Sequence, residues 1–213
     1  MKTKGMGIAL LSAAALLGSA VAQAELPWTY VEAGYTKADG SEFADTDALD
    51  IKGSIGFANV WHASLDYQDG TTDFDIGPDS DFDGWRFVVG AHPQLTPNTQ
   101  LVADLTYFNY DFDGGEGSDG FGVGLGLRHS LTDKVELLAE AWYTQTSVDD
   151  NSSNPDFDVY NTTVQLGGRY KWTPNFSTGL TVDLGGSGSS SGFFGGDQAR
   201  FDIRWSFADI VSK

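Results

Sequence analysis

The chain contains no cysteine, so neither a disulfide framework nor a thiolate-ligated metal holds it together. It is also poor in basic residues: 12 Lys and Arg stand against 30 Asp and Glu, for a formal net charge of −18. A surface that acidic repels phosphate backbones, which excludes nucleic acid as a partner. Long apolar runs are nearly missing. Beyond a stretch from Ile8 to about Val21, nothing approaches the roughly 18 consecutive apolar residues of a spanning helix, so no transmembrane helix is predicted in the rest of the chain.

The single apolar run is short for a span. Lys2 and Lys4 precede it, and Ala22-Gln23-Ala24 follow it with the small-x-small pattern of a signal-peptidase site. Residues 1–24 are therefore expected to be a signal peptide for Sec export, and residues 25–213 a single mature domain starting at Glu25. An uncleaved membrane anchor is the competing reading, and the short run with its clean cleavage site argues against it. Without Lys2 and Lys4 the net charge is −20, that is −18 − 2.

What the chain does have is alternation. Ten stretches alternate apolar and polar residues, with nearly every charge on the polar register, at about 28–38, 48–58, 61–68, 84–92, 100–110, 120–130, 135–147, 159–172, 176–184 and 199–207. In 48–58, Leu49, Ile51, Ile55 and Phe57 share one face while Asp50, Lys52 and Ser54 share the other. None of the ten apolar faces carries a charge. A Lys or Arg at a lipid midplane costs about 2–4 kcal/mol, so that purity marks the faces as lipid-directed. The opposite register mixes both signs: Glu32, Asp50, Lys52, Asp66, Arg86, Asp104, Arg128, Glu136, Glu140, Arg169, Asp183, Asp202 and Arg204. The expectation is a lumen filled by ion pairs, with Arg128 and Arg169 neutralising Glu136 and Glu140.

Connections alternate in length. Short ones carry turn residues, at Asn59-Val60, Pro93–Thr99, Thr132-Asp133-Lys134 and Thr173-Pro174-Asn175. Long ones cover roughly 39–47, 69–83, 111–119, 148–158 and 185–198. Five hairpins follow, with both termini on the short-turn, periplasmic side and the long loops outside. The fold expected is all-β: a closed antiparallel transmembrane β-barrel of ten strands, with eight as the alternative if the hairpin over 176–207 is misread. Gly122, Gly124 and Gly126 occupy one strand's inward register. Bulky Phe108, Tyr110, Leu138 and Trp142 flank it, an interleaving by which narrow barrels fill their bore.

At Tyr30-Val31-Glu32-Ala33-Gly34-Tyr35 and Asp83-Gly84-Trp85-Arg86 the chain resembles the small outer-membrane β-barrels of Gram-negative bacteria, the superfamily of OmpA-like barrels and opacity-type proteins. Within that superfamily it resembles the small barrels linked to cell-density signalling and biofilm. The resemblance spans the mature chain and implies outer-membrane localisation and insertion by the barrel-assembly machinery. Such proteins generally end on an aromatic residue; here Phe207 is followed by Ala208 to Lys213.

Candidate chemistry is sparse. Of the 30 acidic residues, 19 fall in the five long loops, which hold no Lys or Arg. Such blocks stay solvated and repel one another. Within them Asp79-Ser80-Asp81-Phe82-Asp83-Gly84 resembles half of a calcium loop, making Asp79, Asp81 and Asp83 the candidate ligands for loosely bound Ca2+ or Mg2+. Gly90 stands where an EF-hand needs its bidentate Glu, so a solvated acidic rim is the favoured alternative. His62, His92 and His129 each adjoin a short turn, away from the outer mouth where a barrel hydrolase keeps its base. No catalytic residue and no cofactor is expected. Trp28, Trp61, Trp85, Tyr143, Trp172 and Trp205 read as interfacial anchors rather than carbohydrate platforms. Phe193-Phe194 crowns a Gly/Ser-rich loop.

These features predict a non-enzymatic barrel with a structural, adhesive or envelope-integrity role. Its expected partners are outer-membrane lipid, lipopolysaccharide and a surface partner met through the loops. The alternative is a narrow channel for ions or small solutes, disfavoured by Phe108 and Trp142 in the bore. Ser118 and Ser153 are expected on the outer loops and Asn175 on the periplasmic side.

Overall fold

The computed structural model describes residues 26–41, 44–74, 79–113, 117–149, 157–185 and 197–207. The expected signal peptide, Ser153 and Phe193-Phe194 lie outside these residues.

Alternating apolar and polar residues satisfy an extended chain only when each face meets a different medium, and the chain obeys that pattern throughout. It forms β1 (Thr29–Ser41), β2 (Ala44–Phe57), β3 (Trp61–Phe74), β4 (Ser80–Ala91), a short β5 (Gln94–Thr96), β6 (Thr99–Phe112), β7 (Gly117–Ser130), β8 (Val135–Asp149), β9 (Phe157–Lys171), β10 (Phe176–Gly185) and β11 (Asp197–Phe207). Every pairing is antiparallel between chain neighbours, apart from β4–β6, which spans the short β5, and β1–β11, which closes the ring. The result is a closed ten-strand barrel, with β5 a three-residue strand folded onto the start of β6. Closure removes the sheet edges that an open ten-strand sheet would expose.

Register fixes the tilt. A row of paired residues runs Glu32, Lys52, Asp66, Arg86, Phe108, Gly120, Thr146, Val159 in one direction round the barrel. In the other direction it runs Glu32, Arg204, Ser177, Lys171. The row thus returns to β9 displaced from Val159 to Lys171, a shear of 171 − 159 = 12 residues. Strands in such barrels tilt by about 35–45°.

The outward face is the apolar register read from the sequence: Leu49, Ile51, Leu65, Leu105, Phe121, Leu125, Leu180 and Phe201 are all exposed. The strands run longer than the alternation alone suggested. At 12 to 15 residues, most exceed the roughly 9–11 needed to cross a bilayer. At the loop end their outward positions switch to carboxylates: Asp45, Asp69, Asp73, Asp81, Asp83, Asp111, Asp158 and Asp197 are exposed. Much of the acidity assigned to loops therefore sits on the outer wall of a projecting barrel. Ladder hydrogen bonds continue there because hairpin extension satisfies every backbone group while the Asp side chains stay in water. Ser118 is a consequence and a correction: it lies on β7, not in a loop, and is 2% exposed on the inner face.

At the opposite end the connections are tight. Ala58 and Asn59 both take positive φ, 49° and 66°, so the first turn centres one residue earlier than the expected Asn59-Val60.

Candidate functional site in the barrel lumen

Seven of the ten Lys and Arg that follow residue 24 point inward: Lys52, Arg86, Arg128, Arg169, Lys171, Arg200 and Arg204. Charges crowd into the narrow space because every outward position in the apolar band is closed to them. Glu32 is the hub. It receives Arg204 Nε at 2.6 Å, Arg200 Nη1 at 2.7 Å and Arg169 Nη2 at 3.0 Å. Arg169 also meets Asp202 at 2.6 Å, and Arg200 pairs with Asp50. Arg204 stacks over the Tyr30 ring, 3.7 Å from its centre. The adjacent Arg86–Asp66 pair is 2.9 Å long. Three arginines on one buried carboxylate supply the attraction that offsets its desolvation.

Towards the turn end a second group closes the bore. Arg128 grips Glu136 with both arms of its guanidinium, Nε to Oε1 at 2.6 Å and Nη2 to Oε2 at 3.1 Å. Lys171 adds a longer contact to Glu136 at 3.9 Å. Beside this pair, at the turn end, the segment Leu26–Trp28 folds into the barrel mouth. The Trp28 indole stacks between His62 and His92, with centroids 4.0 and 4.5 Å away, and donates from Nε1 to Gln100 at 3.0 Å. Arg128 covers the same ring at 4.8 Å and donates to the Pro27 carbonyl at 3.3 Å. Leu26, Trp28, His62, His92, Gln100 and Arg128 are all buried.

Several expectations change here. Arg128 does neutralise Glu136, but Arg169, although it stands opposite Glu136 in the β8–β9 register, serves Glu32 and Asp202 instead: Gly179 on β10 lies between Arg169 and Asp202 in the same row and has no side chain to separate them. Glu140 accepts a bond from Trp142 Nε1 at 3.1 Å and has no salt-bridge partner among the described residues. Trp28 is no interfacial anchor. It shares the inward parity of Tyr30 and Glu32, and that parity was the signal that could have placed it. Arg200, absent from the expected lumen set, shares parity with Asp202 and Arg204. Trp61, Trp85, Tyr143, Trp172 and Trp205 do face outward.

The histidines lie at the turn end as expected, with His62 Nε2 3.3 Å from Asp104 and His129 Nδ1 2.9 Å from the Thr99 hydroxyl. Asp79 precedes β4, while Asp81 and Asp83 lie on its outward register, Asp81 accepting from Thr71 at 2.7 Å and Asp83 from Tyr67 at 3.4 Å. Among the described residues no group of three metal-ligating side chains assembles.

Even with these ion pairs in place the bore is not filled. Phe108 and Trp142 leave a cavity of about 330 Å³. The inward glycines explain this. A Cβ on Gly124 would sit 2.9 Å from three atoms of the Trp142 indole, and one on Gly120 would sit 2.6 Å from Phe108 Cζ. The rings therefore lie against neighbouring strands at positions without side chains, paving the wall instead of crossing the lumen. The cavity runs from Thr72, Phe82 and Phe112 near the loop end down to Trp28, His62 and Arg128.

A closed antiparallel ten-strand barrel with an apolar outer band and a charged, polar lumen defines an outer-membrane β-barrel. The profile of the outer membrane protein β-barrel domain matches residues 8–166, and the chain belongs to that family. No curated protein matches it. Among solved structures it is similar to an outer membrane channel from Pseudomonas putida F1, at 8% identity and TM-score 0.56, covering 89% of this chain and 99% of that one. It is also similar to the NanC porin, at 12% identity and TM-score 0.46, covering 83% and 100%. Outer membrane phospholipase A from Escherichia coli aligns at 9% identity and TM-score 0.37, covering 84% and 93%. At these identities the likeness is one of fold alone.

Proposed function

We propose that the protein is a non-enzymatic outer-membrane barrel, shut at its periplasmic end and open outward, with a structural or adhesive role at the cell surface. One observation carries the reading: Trp28, clamped by His62, His92, Gln100 and Arg128, stops the lumen on the side of the short turns and both termini. Cleavage after Ala24 would make this stopper the mature N-terminus. The acidic wall at the loop end then meets lipopolysaccharide headgroups and any surface partner, with divalent cations held loosely between like charges. Catalysis is disfavoured by the placement of the histidines. His62 and His92 are buried against Trp28 at the closed end, and neither ring is hydrogen-bonded to a serine among the described residues.

A second reading, a narrow channel for ions or small solutes, is favoured by the cavity of about 330 Å³ that reaches the stopper from the other side. Planar-bilayer recording separates the two. The wild type is expected to stay silent, and Trp28→Ala to give discrete openings. Steady conductance of the wild type would make the channel the primary function.

A further inference from the structure

The outer part of the lumen differs in chemistry from the rest. Between the loop end and the level of Asp50, Arg86, Asp183 and Arg200, the inward positions of the described strands carry no charged side chain. One side of this vestibule is aromatic: Phe82 on β4, Phe108, Tyr110 and Phe112 on β6, and Trp142 on β8. Phe82 packs edge-on to Tyr110 at 6.2 Å, and Phe108 lies 6.0 Å from Tyr110, so the rings form one surface. The other strands present hydroxyls and amides: Thr36, Thr46, Gln68, Thr163, Gln165 and Gln198.

We propose that this vestibule binds a neutral sugar ring of about hexose size. A pyranose has an apolar C–H face that packs on aromatic rings and a rim of hydroxyls that needs donors and acceptors of both kinds. Thr hydroxyls and Gln amides supply both, because each carries a donor and an acceptor. The vestibule is the outer part of a cavity of about 330 Å³ that continues down to Trp28, at the small end of the roughly 300–1,000 Å³ range of ligand sites, which suits one ring rather than a polymer. Charge decides against an acidic sugar. Arg86, Arg169, Arg200 and Arg204 already hold carboxylates below the vestibule, and Lys52 stands in the same row between Glu32 and Asp66. The entrance is ringed by outward Asp side chains that repel anions.

Saturation-transfer NMR on the folded full chain tests the assignment, in lauryldimethylamine oxide micelles so that no glycosidic detergent competes. The probes are methyl β-glucopyranoside, glucuronate and cyclohexanol. Transfer to the ring C–H protons of the glucoside is expected, weaker for glucuronate and absent for cyclohexanol, which has the apolar ring without the hydroxyl set. Phe108→Ala and Trp142→Ala should each weaken glucoside binding about tenfold, the effect of losing one good ring contact. Trp205→Ala, on the outer wall, should leave it unchanged. Thr163→Val and Gln198→Leu keep volume while removing polar groups. They should weaken binding too, and they decide the matter if an aromatic variant fails to show folded gel migration. No transfer to the glucoside, transfer equal to or weaker than that to glucuronate or cyclohexanol, or unchanged binding in the folded lumen variants would overturn the proposal. So would loss of binding in Trp205→Ala, which would place the sugar on the outer aromatic girdle.

Discussion

Replacing Arg128 by Met tests how the closed end is held. In the folded barrel both Glu136 oxygens are taken by one guanidinium, at 2.6 and 3.1 Å, and both side chains are buried. Removing the cation leaves Lys171, 3.9 Å away, as the remaining salt-bridge partner of the carboxylate among the described residues. Breaking one side of a buried pair costs about 3–5 kcal/mol, and the lost contact over Trp28 adds about 0.5–2 kcal/mol. The double change Arg128→Met with Glu136→Gln removes the uncompensated charge as well. It should recover most of the loss, giving a coupling of about 2–3 kcal/mol in a double-mutant cycle. Arg128→Met with Glu140→Gln is the control, because Glu140 bonds Trp142 and not Arg128. The assay is urea unfolding in lipid vesicles, read by the shift from fast to slow gel migration. Equal stability of Arg128→Met and wild type, or rescue by Glu140→Gln in place of Glu136→Gln, would refute this account of the pair.

Glu32→Gln removes the charge that three arginines share and should destabilise by at least about 3–5 kcal/mol. In the same assay Arg204→Met is expected to recover more of that loss than Arg169→Met or Arg200→Met, since Arg169 keeps Asp202 and Arg200 keeps Asp50 while Arg204 loses its carboxylate. Leu125→Arg, on the apolar band of β7, should cost about 2–4 kcal/mol, against about 0–1 kcal/mol for Asp111→Arg near the loop end. Equal costs would show that the band does not face lipid. A Cys replacing exposed Asp113 should react with an impermeant maleimide on intact cells, while one replacing Asn175 should not, and one replacing buried Ser118 should react poorly. Labelling at Asn175 alone would invert the barrel.

Much of the architecture is local information, and the sequence by itself determined it. A strand's side chains alternate with a period of two, so Leu49, Ile51 and Leu125 declare the outer face, and Glu32, Asp50 and Arg204 the inner one, without reference to any partner. Turn residues counted the hairpins, and an even count of ten follows from both termini sharing one end. The partners of each charge were not legible. Arg204 meets Glu32 across 172 positions of sequence only because β1 pairs with β11 and the rows shear by 12 residues. Parity says that a residue points inward; shear and closure decide how high it sits and whom it faces. Arg169 was matched to the wrong carboxylates for a different reason: it does stand opposite Glu136, but the missing side chain at Gly179 lets it reach Asp202 and Glu32.

The closed end and the vestibule were decided by the tertiary structure. Leu26–Trp28 lies ahead of the first strand, and although parity with Tyr30 and Glu32 points the indole inward, only the gap between His62 and His92 makes it a stopper. Phe108 and Trp142, read from their inward register as obstructions, lie against the wall because glycines on β7 leave room for them. Sequence sets which side chains enter the lumen. Whether they block it or line it depends on what stands on the neighbouring strand, and that is known only once the barrel has closed.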